Sequence, residues 1–292
     1  MIWGNRRSAI AQLDASVETA SLLDASHRFH SYRLEGVIDD SLLHRPVFPA
    51  GHLEERPALS ILLHGRLLLR LGEQRRWVEA GEGYVIRSHS GFSWRILEGC
   101  RGLTVGWDAA LAPWPKEPIF RLTAPQLEAL VKATDRMHAT TSVTDATSVH
   151  ACAIDALQST GLLGTGGFTK TDSDPALQAL AMAIDARLSN LAEEPMQVEL
   201  QEELGISERH LRRLTTEMFK RYGFVDSNWG EARVRRRLMT AVAFMSNPHA
   251  TVSLVASEVG YHSTQAMSRA FSRAGFPSPS RIRKALDDLA EC

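Results

Sequence analysis

The fold is decided by the stretch VSLVASEVGYHSTQAMSR, which occupies residues 252–269. A first helix in this stretch would end at Gly260, because glycine suits the left-handed conformation that ends many helices. Ser263 follows a short turn, and serine is a favoured N-cap for a second helix. A similar pattern, VELQEELGISERHLRR, occupies residues 198–213, about 55 residues earlier. The sequence therefore predicts two helix-turn-helix units in an all-helical C-terminal region.

The second helix of each unit carries basic and polar side chains in its opening turns, where a recognition helix meets base edges. Arginine can donate two hydrogen bonds to guanine, and Gln265 can pair with adenine. Arg236 lies between the two units, where an arginine suits a phosphate contact. The predicted partner is double-stranded promoter DNA. The predicted DNA-contacting residues are Ser207, Arg209, His210, Arg212, Arg213, Arg236, Ser263, Thr264, Gln265, Ser268, Arg269 and Arg273.

Charge is distributed unevenly along the chain. The 292 residues have a net charge of −1, but residues 207–284 carry +9 and the remainder carries −10. A concentrated basic block in an otherwise acidic chain indicates contact with a polyanion. The alternative interpretation of the block is a solvated charged surface.

The second unit resembles the DNA-binding domain of AraC/XylS-type transcription regulators. The resemblance lies in VASEVGY at 255–261, MSRAFSR at 267–273, SPS at 278–280 and Arg283. The first unit resembles the same family through Pro195, LGIS at 204–207 and HLRR at 210–213. The resemblance implies recognition helices at about 208–220 and 264–273, which would enter successive major grooves on one face of the DNA.

The chain departs from the family pattern at three places. Thr215 stands where the family usually has phenylalanine, and Phe219 follows later. Gly223 falls about three residues late, which predicts a longer or differently bent first recognition helix. Near the C-terminus the expected Phe-Gly order is reversed, as Gly275-Phe276.

The sequence pattern of the N-terminal part predicts short strands. Two apolar runs within residues 58–72 meet at His64-Gly65, which predicts a hairpin. Glycine-rich turns and alternating runs continue to Trp107, which predicts a small barrel or sandwich. Family members usually pair their DNA-binding domain with a cupin-like sensor, so the resemblance implies an α+β chain. That fold class is an N-terminal cupin-like β-barrel or sandwich with trailing helices, followed by an all-α domain with two helix-turn-helix units.

The N-terminal histidines do not follow the cupin metal pattern. Cupin metal sites use a His-x-His pair with a later Glu and His, and this chain has no His-x-His. Trp94 stands where the histidine of the second cupin motif would be. The sequence therefore predicts no cupin metal site, no cofactor and no catalytic residue. We interpret the following as structural or surface residues, with zinc or iron binding by some of them as the alternative: His27, His30, His44, His52, His64 and His89.

Tryptophan is the stronger indication of a ligand. Its large ring and single N–H suit aromatic or apolar effectors. Trp77, Trp94 and Trp107 are the predicted effector-binding residues, and simple core packing is the alternative. The layout of residues 59–97 also resembles that of siderophore-responsive regulators, such as those controlling pyochelin uptake.

Two helices are predicted after the strands, one capped by Thr123 and one over about 144–158. They can pack on the β-domain or pair with a second copy, and we predict that they mediate a homodimer. The predicted divisions are a sensor at 1–120, a helical dimerisation segment at 121–163, a linker at 164–175 and a DNA-binding domain at 176–292.

Composition limits the function classes. No apolar run approaches the roughly 20 residues of a membrane span, and three separated cysteines fit a reducing cytoplasm. We predict a cytoplasmic regulator that is not an enzyme, responds to a small-molecule effector, activates transcription and meets RNA polymerase. The alternatives are a regulator controlled by protein–protein contact and a cupin-type enzyme with a helical appendage.

Overall fold

The computed structural model of the chain describes residues 2–24, 27–36, 58–71, 74–86, 92–96, 99–107, 119–162, 174–192, 197–222 and 228–290. It has a mixed architecture, as the sequence predicts: a two-sheet β-region comes first and a helical region follows. The strands are β1 (Ile2–Ile10), β2 (Ala15–Leu23), β3 (His27–Glu35), β4 (Ala58–His64), β5 (Arg66–Leu71), β6 (Gln74–Glu79), β7 (Glu82–Ile86), β8 (Phe92–Ile96), β9 (Cys100–Trp107) and β10 (Ile119–Arg121).

The strands form a seven-stranded sheet in the order β1-β2-β3-β9-β4-β7-β10 and a three-stranded sheet in the order β6-β5-β8. All the pairings are antiparallel. The sequence patterns did not predict strands β1 and β2, yet these pair over their whole length, from Ile2 opposite Leu23 to Ile10 opposite Ala15. These two strands extend the larger sheet towards the helical region.

The hairpin predicted at His64-Gly65 is wrong. β4 pairs with β7 and β9 in the larger sheet, whereas β5 pairs with β6 and β8 in the smaller one. Only Gly65 separates the two strands, and the commonest hairpin connections need two loop residues. The chain therefore passes from one sheet to the other at Gly65 instead of folding back on itself.

Helices α1 (Ala124–Ala139) and α2 (Val143–Ser159) cover one face of the larger sheet. Leu130, Met137 and Val149 pack in one buried cluster with Phe29 and Val105 of the sheet. The start of α1 is fixed at Thr123, whose backbone N–H donates to Gln126 Oε1 at 2.8 Å. The apolar faces of both helices thus pack on the larger sheet of the same chain. The homodimer stays a prediction.

The helical region comprises α3 (Pro175–Ser189), α4 (Gln197–Leu204), α5 (Glu208–Tyr222), α6 (Trp229–Met245), α7 (Val252–Glu258), α8 (Thr264–Arg273) and α9 (Pro279–Ala290). α3 begins where the linker was predicted to end, with the Asp174 carboxylate accepting from the N–H of Ala176 at 3.0 Å. Most of the predicted linker lies outside the described residues. No helix among the described residues combines the length and apolar character needed to cross a bilayer.

The helical region packs directly on the edge of the larger sheet. The side chain of Gln178 in α3 accepts from the backbone N–H of Trp3 at 3.1 Å. Asn247, after α6, donates to the backbone oxygens of Leu13 and Gly36 at 3.0 and 2.7 Å. These bonds join side chains of the helical region to backbone groups of the β-region, which fixes the position of one part against the other.

Candidate nucleic-acid interface

The two helix-turn-helix units have the same turn geometry. Gly205 ends α4 with φ +62°, and Gly260 follows α7 with φ +80°. The next residue in each turn donates its N–H to a carbonyl five residues back: Ile206 to Gln201 at 3.0 Å and Tyr261 to Ala256 at 2.8 Å. This is the six-to-one bond of a Schellman motif, so the local chemistry read from the sequence sets both turns.

In the first unit, α5 buries one face and exposes a basic one. Its buried side chains form a core with α3 and α4 and are Leu211, Leu214, Thr215, Met218, Phe219 and Tyr222. The exposed face carries Arg209, Arg212, Arg213, Thr216, Glu217 and Lys220, which together line a shallow depression. Ser207 stands before the helix, and its Oγ accepts from the N–H of His210 at 3.3 Å. The structure therefore gathers the predicted contact residues of this unit on one solvent-facing surface.

Two pairs of side chains order this surface. The Arg212 guanidinium lies 3.1 Å from the Glu208 carboxylate, one helical turn earlier. Arg213 Nη2 lies 3.1 Å from His210 Nε2. Both pairs are exposed, so each contributes little to stability.

The first departure from the family pattern is accommodated inside α5. Thr215 is buried, and its hydroxyl donates to the Leu211 carbonyl at 2.8 Å, which satisfies the polar group. Phe219, one turn later, supplies the buried aromatic ring. The helix continues to Tyr222, two residues beyond the expected end, and Gly223 lies outside the described residues.

In the second unit, α8 begins at Ser263, whose Oγ accepts from the N–H of Ala266 at 3.1 Å. Met267 and Phe271 are fully buried, which fixes the rotation of the helix. That rotation leaves Gln265, Arg269 and Arg273 exposed and Thr264 and Ser268 half-buried. The predicted base-contacting side chains of α8 therefore share the face opposite its core.

A positively charged groove runs between α6 and α8. Its lining includes four arginines, namely Arg233, Arg237, Arg269 and Arg273. Tyr261 and His262 also line the groove and were not among the predicted contact residues, although they directly follow the turn glycine. Burial raises the pKa of Tyr261, and the neighbouring Arg237 and Arg233 guanidiniums only partly offset this. The groove has the charge that a phosphate backbone needs.

The arginines of α6 have different roles in the structure. Arg237 is buried, donates to the Leu191 carbonyl at 3.3 Å and lies over the Tyr261 ring at 5.6 Å. Arg236 is half-buried and reaches Ser8 Oγ of β1 at 3.5 Å. Arg236 thus contacts the β-region, and its contact with a phosphate stays a prediction.

The reversed Gly275-Phe276 order still closes α8. Phe276 donates its N–H to the Phe271 carbonyl at 2.9 Å, and the two rings meet edge to face at 5.1 Å. Arg283, part of the family resemblance, donates to the carbonyls of Met245 and Pro248, each at 2.8 Å. Arg283 thus stabilises the C-terminal end of α6, where a cation is favourable.

The structure separates two of the predicted effector-binding tryptophans. Trp107 is 3% exposed and belongs to the core between the larger sheet and its helices. Trp77 is 39% exposed on β6 of the smaller sheet, with the Arg66 guanidinium 4.8 Å from its ring centre. The side chain of Trp94 lies outside the described part of the chain. The ligand role of these residues stays a prediction.

No protein-family model matches the chain, and no curated protein sequence matches it. Among solved structures, it is similar to ToxT from Vibrio cholerae O395, with 11% identity over 89% of this chain and 98% of that chain and a TM-score of 0.37. It is also similar to unsaturated fatty acid-bound ToxT from strain SCE256, with 12% identity over 89% and 96% and a TM-score of 0.34. A third similar structure is the AraC-like transcriptional activator CuxR, with 12% identity over 76% and 80% and a TM-score of 0.33. At these values the similarity assigns no ligand and no activity to this chain.

Proposed function

We propose that the chain is a sequence-specific, DNA-binding transcription regulator of the AraC/XylS type. The observation that carries the proposal is the repeated unit: two helices, α5 and α8, each follow a glycine-ended turn and expose arginines opposite a buried face. One such pattern occurs in many helical hairpins. Two in tandem, with a four-arginine groove beside the second, match the needs of a protein that reads duplex DNA.

The exposed side chains divide into two kinds of contact. Arg209, in the first turn of α5, and Arg269, exposed in the middle of α8, are assigned to base edges, where arginine reads guanine. Arg273 and Arg233 lie in the groove and are assigned to phosphates, which position the protein without reading sequence. Gln265, exposed in the first turn of α8, is assigned to adenine.

Regulation is assigned to the N-terminal β-region with its helices α1 and α2. In this proposal a small-molecule effector binds there and changes the equilibrium between two arrangements of the DNA-binding units, which is what ligand coupling means physically. The proposed form is a cytoplasmic homodimer that activates transcription with RNA polymerase. The proposal assigns no catalytic step to the chain.

Specific DNA binding is tested by fluorescence anisotropy with DNA from upstream of the protein's own gene. Arg269→Ala should weaken binding to the specific site by about 1–3 kcal/mol, which is roughly 5- to 150-fold, and leave binding to unrelated DNA nearly unchanged. Arg7→Ala is the matched control, because Arg7 is an exposed arginine on β1, paired with Glu18 at 3.0 Å. Affinity that is independent of sequence and equal in both variants contradicts specific readout.

The effector and the dimer are tested by native mass spectrometry of full-length protein purified from its own host. A dimer with a defined extra mass supports a sensor that binds a small molecule. A monomer without added mass, under conditions where the promoter DNA is bound, contradicts both parts of the proposed regulation and leaves DNA binding intact.

A further inference from the structure

Three polar side chains meet in the interior, away from the helix-turn-helix units. Asp24 follows the last residue of β2, His27 opens β3 across the turn, and His150 lies in α2. They are 4%, 2% and 8% exposed. The fold thus brings together a carboxylate and two imidazoles from segments more than 100 residues apart, in a place that water does not reach freely.

The distances between their ligating atoms are compatible with a metal site. Asp24 Oδ2 lies 2.9 Å from His150 Nε2, and Asp24 Oδ1 lies 3.5 Å from His27 Nδ1. One ligating atom from each residue lies within 4.8 Å of the other two. Ligands that bind Zn²⁺ tetrahedrally at about 2.0–2.1 Å are about 3.3 Å from one another, so small side-chain adjustments would centre an ion.

The chemistry of the three groups also fits. Two imidazole nitrogens with one carboxylate oxygen are a donor set that zinc and non-haem iron use, and three protein ligands leave a further position open. A buried carboxylate is stable only with positive charge nearby, and an imidazole is positive only when protonated.

Aromatic packing holds the two imidazole rings in place. The Phe29 ring lies 5.3 Å from the His150 ring, edge to face, and 6.3 Å from the His27 ring, stacked. Fixed ring orientation and an apolar surround are the features that support metal ligands from outside the coordination sphere.

We propose that Asp24, His27 and His150 bind one divalent transition-metal ion, with Zn²⁺ as the reference ion. The ion would join the β2–β3 turn to α2, that is, the larger sheet to the helix that covers it. This inference is independent of the proposed DNA binding.

The site lies where the β-region meets the first helix-turn-helix unit. Leu23, the neighbour of Asp24, packs in the same buried cluster as Tyr222, the last residue of α5. The Tyr222 hydroxyl is buried and makes no hydrogen bond within the described part of the chain. Its pKa is raised chiefly by burial, and Asp24 is among the carboxylates that raise it further.

The test uses the full chain, stripped of metal with a chelator and then titrated with Zn²⁺ or Co²⁺ alone. We expect one equivalent to bind, visible absorption bands for Co²⁺, and an X-ray absorption spectrum of the Zn²⁺ form with nitrogen and oxygen ligands that include two imidazoles. His150→Gln and Asp24→Asn should each weaken Zn²⁺ binding by at least about 100-fold, beyond the 10–100-fold typical of residues that only support ligands.

His30→Gln is the matched control, because His30 lies on the same strand as His27, is exposed and contacts Ser21 Oγ at 2.9 Å. It should leave Zn²⁺ affinity unchanged. The spectra of the unaltered protein keep the test decisive even where a variant fails to fold. Any of three results overturns the proposal: folded protein that binds no ion, a spectrum with sulfur ligands, or an equal loss of affinity in the control. If folded protein binds no ion, the three residues form only a hydrogen-bonded histidine–carboxylate cluster.

Discussion

Replacing Gly205 or Gly260 by alanine should lower the free energy of unfolding by different amounts, although both glycines end the first helix of a helix-turn-helix unit. Both have positive φ, +62° at Gly205 and +80° at Gly260. At Gly205 no described heavy atom lies within 4 Å of the position that a Cβ would take. At Gly260 that position is 2.0 Å from the Leu191 backbone oxygen and 2.6 Å from Arg237 Nη2.

The expected magnitudes follow from these two environments. A left-handed conformation costs a non-glycine residue about 1–2 kcal/mol, which is the whole expected cost of Gly205→Ala. Gly260→Ala adds about 1–3 kcal/mol for crowding in a packed interior. It also disturbs the buried hydrogen bond from Arg237 to the Leu191 carbonyl, worth about another 1 kcal/mol. We therefore expect a total of about 3–6 kcal/mol for Gly260→Ala.

Urea unfolding of the full chain, followed by far-UV circular dichroism, measures both costs. Anisotropy with the promoter DNA, in buffer where each variant stays folded, gives the effect on function. Gly260→Ala should lower the free energy of unfolding by about 2 kcal/mol or more beyond the loss in Gly205→Ala, a difference well above the scatter of such measurements. Equal losses in the two variants would refute the steric reasoning, because both share the same left-handed cost.

Three further predictions concern other parts of the molecule. Phe271→Ala, which empties a fully buried position in α8, should cost about 3–5 kcal/mol in urea unfolding, whereas Phe271→Leu should cost clearly less. Asn247→Ala removes two hydrogen bonds to backbone oxygens of the β-region and should lower the free energy of unfolding by about 1–3 kcal/mol. Limited proteolysis between the β-region and the helical region should also become faster. An unchanged proteolysis rate would contradict the role of Asn247 in joining the two regions. Burial, helped by the Arg33 guanidinium, lowers the pKa of His138 from 6.5 to about 4. The His138 ring is neutral in both states above pH 6.5, but between pH 6.5 and 4 the unfolded chain takes up a proton that the folded chain does not. Stability should therefore fall over this range by on the order of 2–3 kcal/mol in thermal melts, and His138→Gln should remove that part of the fall.

The helix-turn-helix units could be predicted because their information is local. Ser263, Gly260 and the apolar spacing of α8 lie within about one dozen residues of one another, and each acts on its own helix end. The same locality explains why the reversed Gly275-Phe276 order is harmless, since glycine still supplies the turn and phenylalanine still reaches Phe271.

The pairing of strands could not be predicted in the same way. Apolar runs at β4 and β5 indicate strands but do not specify their partners, which come from β7 and β9 in one case and β6 and β8 in the other. The Asp24 and His150 cluster was missed for a related reason. Nothing in the sequence near Asp24 indicates a histidine in α2, and only the packing of α2 on the sheet brings them together.

Arg236 connects the proposed DNA binding with the position of the β-region. Its contact with Ser8 is long, at 3.5 Å, so its loss would cost little energy. Where a phosphate needs the same N–H of Arg236 that reaches Ser8, DNA binding through Arg236 and docking on β1 compete. An effector or ion that stabilises the docked arrangement then weakens DNA binding. Because coupling between two sites is reciprocal, bound DNA weakens the binding of that effector or ion by the same factor. Under the proposed function, the contact between Arg236 and Ser8 at the edge of the larger sheet is then one place where an effector can change DNA binding.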